Sequence, residues 1–474
     1  MSFESLQFAV FLVSVFAIYW VFPAKQRWII LLAANFVFYA FSGIRFLAVI
    51  LYVCVVTYFF SRIHANNKRW ILALGIIADI LPLLIFKYLG FFQSNVDHIL
   101  RFVGYKSNIK PLSILLPLGI SFYTFSAVAY LVDSYKGKVQ EEYSFLQLIT
   151  GISFFPCLIA GPIERQQKIV PQIIKEQSFD YDTATYGLKR IAVGYFKKMV
   201  IADTLAMPVD KIFSSVHDYH GLQLFAAIIL FTIEIYCDFS GYSDISIGVS
   251  RLFGIKLDEN FLSPFFSKSF TEVWKRWHIS LSSWFRDYVY IPLGGSRKGN
   301  TRKAINTMIV FLVSGFWHGA AWTYIIWGGL NGVAQIIEGL ITNRKRNNDN
   351  KFFSALSIII VFVFFCVFAT FFRANTVGDA LYILTHMFQG FIHPVTYTSG
   401  ILEALGISAA KVIIIVCEIL LLGWYDYTLL KKDPINVVSS KPLVIRWAIY
   451  VAFVLLIVQL SSKGAAVEFI YAAF

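Results

Sequence analysis

His318 sits in the stretch FLVSGFWHGAAWTYIIWGGLNG, Phe311 to Gly332, which holds no Lys, Arg, Asp or Glu. In hydrocarbon an unpaired imidazolium carries a desolvation penalty on the order of several kcal/mol, so this ring is expected to be neutral. It is either a core histidine satisfied by a backbone carbonyl or a group lining a water-filled cavity. In a cavity, a neutral imidazole can take a proton from an attacking hydroxyl, which is general-base chemistry. Gly315 and Gly319 flank it and permit close approach of a substrate or a helix, and Trp317 is placed to pack on the ring. A second histidine, His278, lies in RWHISLSSWFRDYVYIPLGG.

Further ionisable groups occur in IEIYCDFSGYSDISIG, where Glu234 and Asp238 fall at i, i+4 spacing and Asp244 follows. Carboxylates at membrane depth are costly and face the protein interior. These three are expected to give polar support, pairing with Arg251, Lys256 or backbone donors. Nucleophilic signatures are absent: the chain has no GxSxG, HExxH, Walker-type loop or GxGxxG. Cys54, Cys157, Cys237, Cys366 and Cys417 lack CxxC spacing and lie in or beside apolar runs, so neither a disulfide nor a structural metal is expected.

The elements that must position these residues follow from composition. The chain has 474 residues, 58% of them apolar and 18% aromatic, with only 15% charged. That excludes an ordinary soluble domain and predicts an all-α polytopic membrane protein. Runs able to cross hydrocarbon recur near 3–22, 27–41, 45–60, 70–92, 111–132, 187–203, 221–237, 304–316, 320–341, 352–373, 410–430 and 443–462. About ten to twelve spans are expected, some of them short or broken, within a single membrane domain over 1–474. The first run lacks a basic n-region and a cleavage site and reads as a retained anchor.

The net charge of +13 follows topology, not nucleic acid, because the basic residues cluster between apolar runs. Arg62, Lys68 and Arg69, the interval 268–303, Arg344 to Arg346, and Lys431 to Arg446 mark four expected cytoplasmic loops. The tail at 463–474 is then extracytoplasmic, and His318 lies towards the outer side. Two intervals, 111–163 and 237–266, carry Pro and Gly inside apolar sequence and predict broken helices lining a cavity. In Thr271–Gly295, aromatic residues recur at helical spacing. With eight Lys or Arg against two acids across 268–303, this predicts one amphipathic helix on the cytoplasmic face.

Taken together, GFWHGAAWTYIIWGGLNG, RWHISLSSWFRDYVYIPLGG, YCDFSGYSDISIG, PLGISFYTF and AGPIER resemble the membrane-bound O-acyltransferase (MBOAT) family. Within it they are most similar to the bacterial branch of alginate O-acetyltransferase membrane subunits. The resemblance implies a ring of membrane helices with broken or re-entrant segments around a thin centre. A cytoplasmic funnel takes the acyl donor and an opposite opening takes the acceptor. It makes His318 the catalytic residue and His278 the second member of the pair. The implied donor is acetyl-CoA or another acyl thioester, with no bound cofactor. Lys275, Arg276, Trp277, Arg286, Arg297 and Lys298 are the candidate donor-binding residues.

Two departures stand out. Asn331 occupies the place of a histidine found in many relatives. The chain ends EFIYAAF, where relatives end in a more aromatic string. Phe469, Tyr471 and Phe474 remain as aromatic anchors for docking into a partner's groove or the chain's own outer funnel. The implied partner is an extracytoplasmic SGNH-type acetyltransferase or a small membrane-tethered relay protein. The expected activity is acetyl transfer from a cytoplasmic thioester to an outer hydroxyl in the bacterial cytoplasmic membrane, acetylating a cell-surface or exported polysaccharide. D-alanyl transfer to teichoic acid from a carrier-protein thioester is the alternative within the family. A proton-coupled transporter or glycan exporter, or a docking scaffold, is the alternative outside it.

Overall fold

The computed structural model describes residues 1–63, 68–105, 112, 114–341, 350–461, 469 and 470. Among these, every regular element is helical. The first half of the chain gives α1 (Leu6–Val21), α2 (Arg27–Ala40), α3 (Leu47–Ile63), α4 (Arg69–Leu83), α5 (Leu89–Phe102), α6 (Ile120–Tyr135), α7 (Phe145–Ile152), α8 (Phe155–Leu158), α9 (Gln166–Ile174), α10 (Tyr181–Tyr195), α11 (Asp203–Ser214) and α12 (Leu222–Leu252). After it come α13 (Phe270–Arg276), α14 (Ile279–Phe285), α15 (Gly299–His318), α16 (Trp322–Ile341), α17 (Lys351–Arg373), α18 (Val377–His386), α19 (Pro394–Thr398), α20 (Ile401–Leu405), α21 (Ala409–Leu429), α22 (Pro434–Ser439) and α23 (Leu443–Leu460).

Seven helical stretches among the described residues are long and apolar enough to cross a membrane: Ile44–Ile63, Arg69–Phe102, α12, α16, α17, α21 and α23. The other apolar runs form shorter or interrupted helices, such as α1 and α6. None of the 18 residues of α23 is buried, and Leu6, Val21 and Val444 are at least 80% exposed. An apolar surface of this kind needs lipid to cover it. The protein is a multi-pass membrane protein.

The described residues form two compact units, one from Met1–Leu188 with Ser246–Asp258, the other from Lys189–Ile245 with the chain that follows from Glu259. In the first unit, α6 is buried at every position from Ile120 to Asp133. The helix opens after Gly119, whose φ of +69° suits a glycine and where a Cβ would stand 2.1 Å from the carbonyl oxygen of Leu158. The expected irregularity of 111–163 is seen here and again in the loop from Ile159 to Arg165.

In the second unit, α15 and α16 pack backbone to backbone. A Cβ on Gly315 would meet the Tyr324 oxygen at 2.3 Å, and one on Gly328 the Phe311 oxygen at 2.3 Å. A Cβ on Gly319 would stand 2.1 Å from the ring of Tyr324. The glycines beside His318 therefore admit a neighbouring helix, as small residues do in membrane proteins.

Two expectations are corrected. The interval 237–266 is not broken at Gly241 or Gly248, since α12 runs unbroken through both. These glycines serve packing, and Gly241 faces the Gly194 carbonyl on α10, where a Cβ would come within 2.8 Å. Thr271–Gly295 is not one helix either. It is α13, a break at Trp277–His278, α14, and a wider π turn at Arg286–Tyr290. The tail residues Tyr471 and Phe474, and the basic loop at Arg344 to Arg346, lie outside the described residues.

The α15–α16 contact gives a direct test. Gly315→Ala must push a methyl against backbone that cannot rotate away, costing about 1–3 kcal/mol. The thermal midpoint of the detergent-solubilised protein should fall, whereas Gly423→Ala, with open space around it, should leave it unchanged. Equal midpoints for the two variants would contradict the packing described.

Candidate active site

The break between α13 and α14 places His278. Trp277 is extended and His278 has φ +43°, a left-handed conformation uncommon outside glycine. Asn260 holds it. The Asn260 carbonyl accepts from the Ile279 N–H at 3.0 Å. Its side-chain Oδ1 accepts from the Ser280 N–H at 3.3 Å and the Ser280 hydroxyl at 2.9 Å. Its Nδ2 donates to Ser243 Oγ at 3.1 Å.

His278 Nδ1 lies 3.2 Å from the same Oδ1. A backbone N–H can only donate, so the Asn260 atom it meets is the oxygen and His278 Nδ1 carries the proton. The Nε2 atom then holds the lone pair. Burial pushes the pKa of His278 down to about 3, because it strips away the water that would stabilise an imidazolium.

Aromatic rings wall both histidines. Phe239 meets His278 edge-on at 4.6 Å between centroids, and Phe261 stacks at 6.4 Å. Trp317 stands 6.2 Å from His278 and 4.8 Å from His318. His318 is enclosed further by Trp327 at 4.9 Å and Phe372 at 5.3 Å. The two histidines, 1% and 3% exposed, thus flank one indole although they are distant in sequence. His318 is the last residue of α15, and an extended Gly319 ends the helix there.

Of the other candidates, Asn331 is buried and donates to the Trp327 carbonyl one turn back at 2.8 Å. Trp277 is buried against Tyr236, Phe261 and Phe365. Arg276 pairs with Glu272 at 2.8 Å, and Arg286 with Asp287 at 2.8 Å. Lys275, Arg286, Arg297 and Lys298 are exposed. Phe469 is buried in the chain's own aromatic core, 4.5 Å from Tyr242 and 5.8 Å from Phe239.

The carboxylates of α12 have other partners than expected. Asp244 pairs with Arg190 at 2.6 Å and Lys197 at 2.8 Å, not with Arg251 or Lys256. Asp238 pairs with Lys198 at 2.8 Å, and Lys198 also reaches Asp203 at 2.8 Å. Lys197 and Lys198 lie on a π-helical segment, Phe196–Ala202. Its wider turn lets adjacent lysines reach carboxylates six residues apart on α12. Glu234 is buried, and its Oε2 has no hydrogen-bond partner among the described residues. Sequence reasoning missed Asn260, Ser280, Arg190 and the two lysines. Asn260 carries no motif signal, but two lysines inside an apolar run, FKKMVIA, could have been read as partners for buried acids.

A model of the MBOAT, membrane-bound O-acyltransferase family matches residues 16–378, a range that includes both histidines. The probable alginate O-acetylase AlgI of Pseudomonas putida is 37% identical over 377 residues, 77% of this chain and 77% of that protein. The peptidoglycan O-acetyltransferase of Helicobacter pylori is 36% identical over 393 residues, 76% and 73% of the two chains. The teichoic acid D-alanyltransferase of Bacillus subtilis is 29% identical over 322 residues, 63% and 77%.

Asn260→Ala removes the acceptor of two hydrogen bonds and the anchor of His278. It should destabilise the protein by about 1–3 kcal/mol, the cost of stranding buried donors. Thermal unfolding in detergent measures this, and a midpoint equal to that of the parent would show that the His278 turn does not depend on Asn260.

Proposed function

We propose that this chain, which belongs to the membrane-bound O-acyltransferase family, moves an acetyl group from a cytoplasmic thioester, acetyl-CoA, to a hydroxyl on the outer side of the bacterial cytoplasmic membrane. The protein is an O-acyltransferase, and the acceptor is a hydroxyl of a cell-surface or exported polysaccharide or of a relay that feeds it. The observation that supports the reading is that His278 and His318 flank one tryptophan in a desolvated aromatic enclosure.

His318 takes the proton of the acceptor hydroxyl as its oxygen bonds to the thioester carbonyl carbon. The carbon–sulfur bond breaks, the thiolate leaves, and the imidazolium returns the proton to it. His278, held as the Nδ1–H tautomer, offers a neutral lone pair at Nε2. That atom can accept from an amide N–H of the donor's arm and so orient the thioester. The exposed Lys275, Arg286, Arg297 and Lys298 are the candidates for drawing in the donor's phosphates. A secreted SGNH-type acetyltransferase or a small membrane-tethered relay protein would receive the group. The teichoic acid D-alanyltransferase among the relatives keeps one other reading in play, D-alanyl transfer from a carrier-protein thioester.

In purified protein, His318→Ala should abolish acetyl transfer from acetyl-CoA while leaving folding and membrane insertion intact. His278→Ala should lower turnover at saturating donor by weakening orientation. Parental product levels from the His318→Ala protein would refute the reading. Transfer of D-alanine from a carrier protein, with acetyl-CoA inert, would replace it by the other acyl group.

A further inference from the structure

The chain returns to its own histidine site at Phe469 and Ile470. Phe469 is 4% exposed. Its ring packs on Tyr242 and on Phe239, the same ring that meets His278 edge-on. The next residue, Ile470, donates its backbone N–H to Asp238 Oδ2 at 2.9 Å. The other oxygen of that carboxylate lies 2.8 Å from Lys198 Nζ, which sits 2.8 Å from Asp203 Oδ1 and over the Tyr242 ring at 5.7 Å. Asp238 and Tyr242 are one turn apart on α12, so the charge that grips the Ile470 backbone and the ring that receives Phe469 share a helix face.

The charges explain why Asp238 has capacity to spare. Lys198 is shared between two carboxylates, so it leaves oxygen lone pairs on Asp238 open to a further donor. A buried carboxylate in that position needs a further donor, and the Ile470 N–H supplies it. An amide N–H held by an ionised acceptor is a strong, directional hydrogen bond. It works with the Phe469 anchor to fix both the position and the register of the segment.

We infer that Phe469 and Ile470 form a cis-acting wall of the histidine site and that Asp238, balanced by Lys198, is the positioning residue that seats them. The inference rests on the acyl-transfer reading above for its effect on turnover, but the seating itself does not. With Phe469 in place, Phe239 is backed by a second ring and keeps its edge contact with His278. Without it, Phe239 gains room to turn and His278 loses a wall. Asp238→Leu is a fair probe, because it leaves Lys198 with Asp203 as a one-to-one pair and strands no cation.

The test uses the full-length protein with Ile470→Cys, labelled by a maleimide and read at residue 470 by peptide mass spectrometry, alongside acetyl transfer and the thermal midpoint. Adding Asp238→Leu should speed labelling about ten-fold or more, the mark of a segment released from local protection. It should also lower kcat while donor KM stays within about two-fold and the midpoint holds, as expected of lost positioning. Phe469→Ala, which leaves the charged trio intact, should likewise speed labelling and lower kcat, and it carries the test if Asp238→Leu does not fold. Labelling unchanged by both substitutions overturns the seating. Faster labelling with transfer at the parental rate overturns the wall. Absence of transfer in the parent protein overturns the acyl-transfer reading and with it the wall, while labelling, which needs no donor, still measures the seating.

Discussion

A chain that leaves the helix inside an apolar protein strands N–H and C=O groups that only protein can take up. At Trp277–His278 one residue meets that constraint. Asn260 accepts the freed N–H groups of Ile279 and Ser280 with its main chain and side chain, and the left-handed turn at His278 persists although such conformations cost on the order of 1–3 kcal/mol. In an unbroken helix, Trp274 and His278 would lie one turn apart on a single stripe. The break separates their partners: Trp274 packs on Phe311 and Trp327, while His278 meets Phe239 and Trp317. Both routes end on His318, through Trp327 and Trp317.

The same accounting governs charge. Arg190 and Lys197 meet Asp244, with Glu259 as the second carboxylate on Arg190 at 2.6 Å, so two cations answer two anions. Asp426 takes the Tyr236 hydroxyl at 2.8 and 2.9 Å. Breaking any of these pairs from one side leaves a buried charge uncompensated, which is far worse than never having buried it. The network therefore fixes the register of α12 against the π-helical segment that carries the lysines. Phe239 and Tyr242 project from that fixed helix.

Much of this was legible in the sequence. The apolar runs announced the helices, His318 in an uncharged stretch announced a buried ring, and the five motifs pointed to the family. The rest was hidden for physical reasons. Helical spacing of Trp274, Trp277, Leu281 and Trp284 reads the same whether or not the helix is broken between them, and a break without Gly or Pro leaves no local signal. Gly241 and Gly248 look like interruptions in sequence because a glycine that admits a neighbouring helix and one that ends a helix are alike in one dimension. Arg251 and Lys256 are the cations nearest Asp244 in sequence, whereas its partners Arg190 and Lys197 come from α10 and the π-helical segment that follows it. The aromatic tail fits a partner's groove or the chain's own funnel equally well in sequence, since burial of a terminal aromatic depends on a groove built by distant residues.

The central claim is that one enclosure brings the thioester and both histidines together. The most direct measurement is a structure of the protein bound to a non-hydrolysable acetyl-CoA analogue. The account predicts density for the thioester-like carbonyl within hydrogen-bonding or near-attack reach of His278 and His318, beside Trp317. An analogue bound with its carbonyl elsewhere, or an enclosure sealed against the donor while the protein is active, would contradict it.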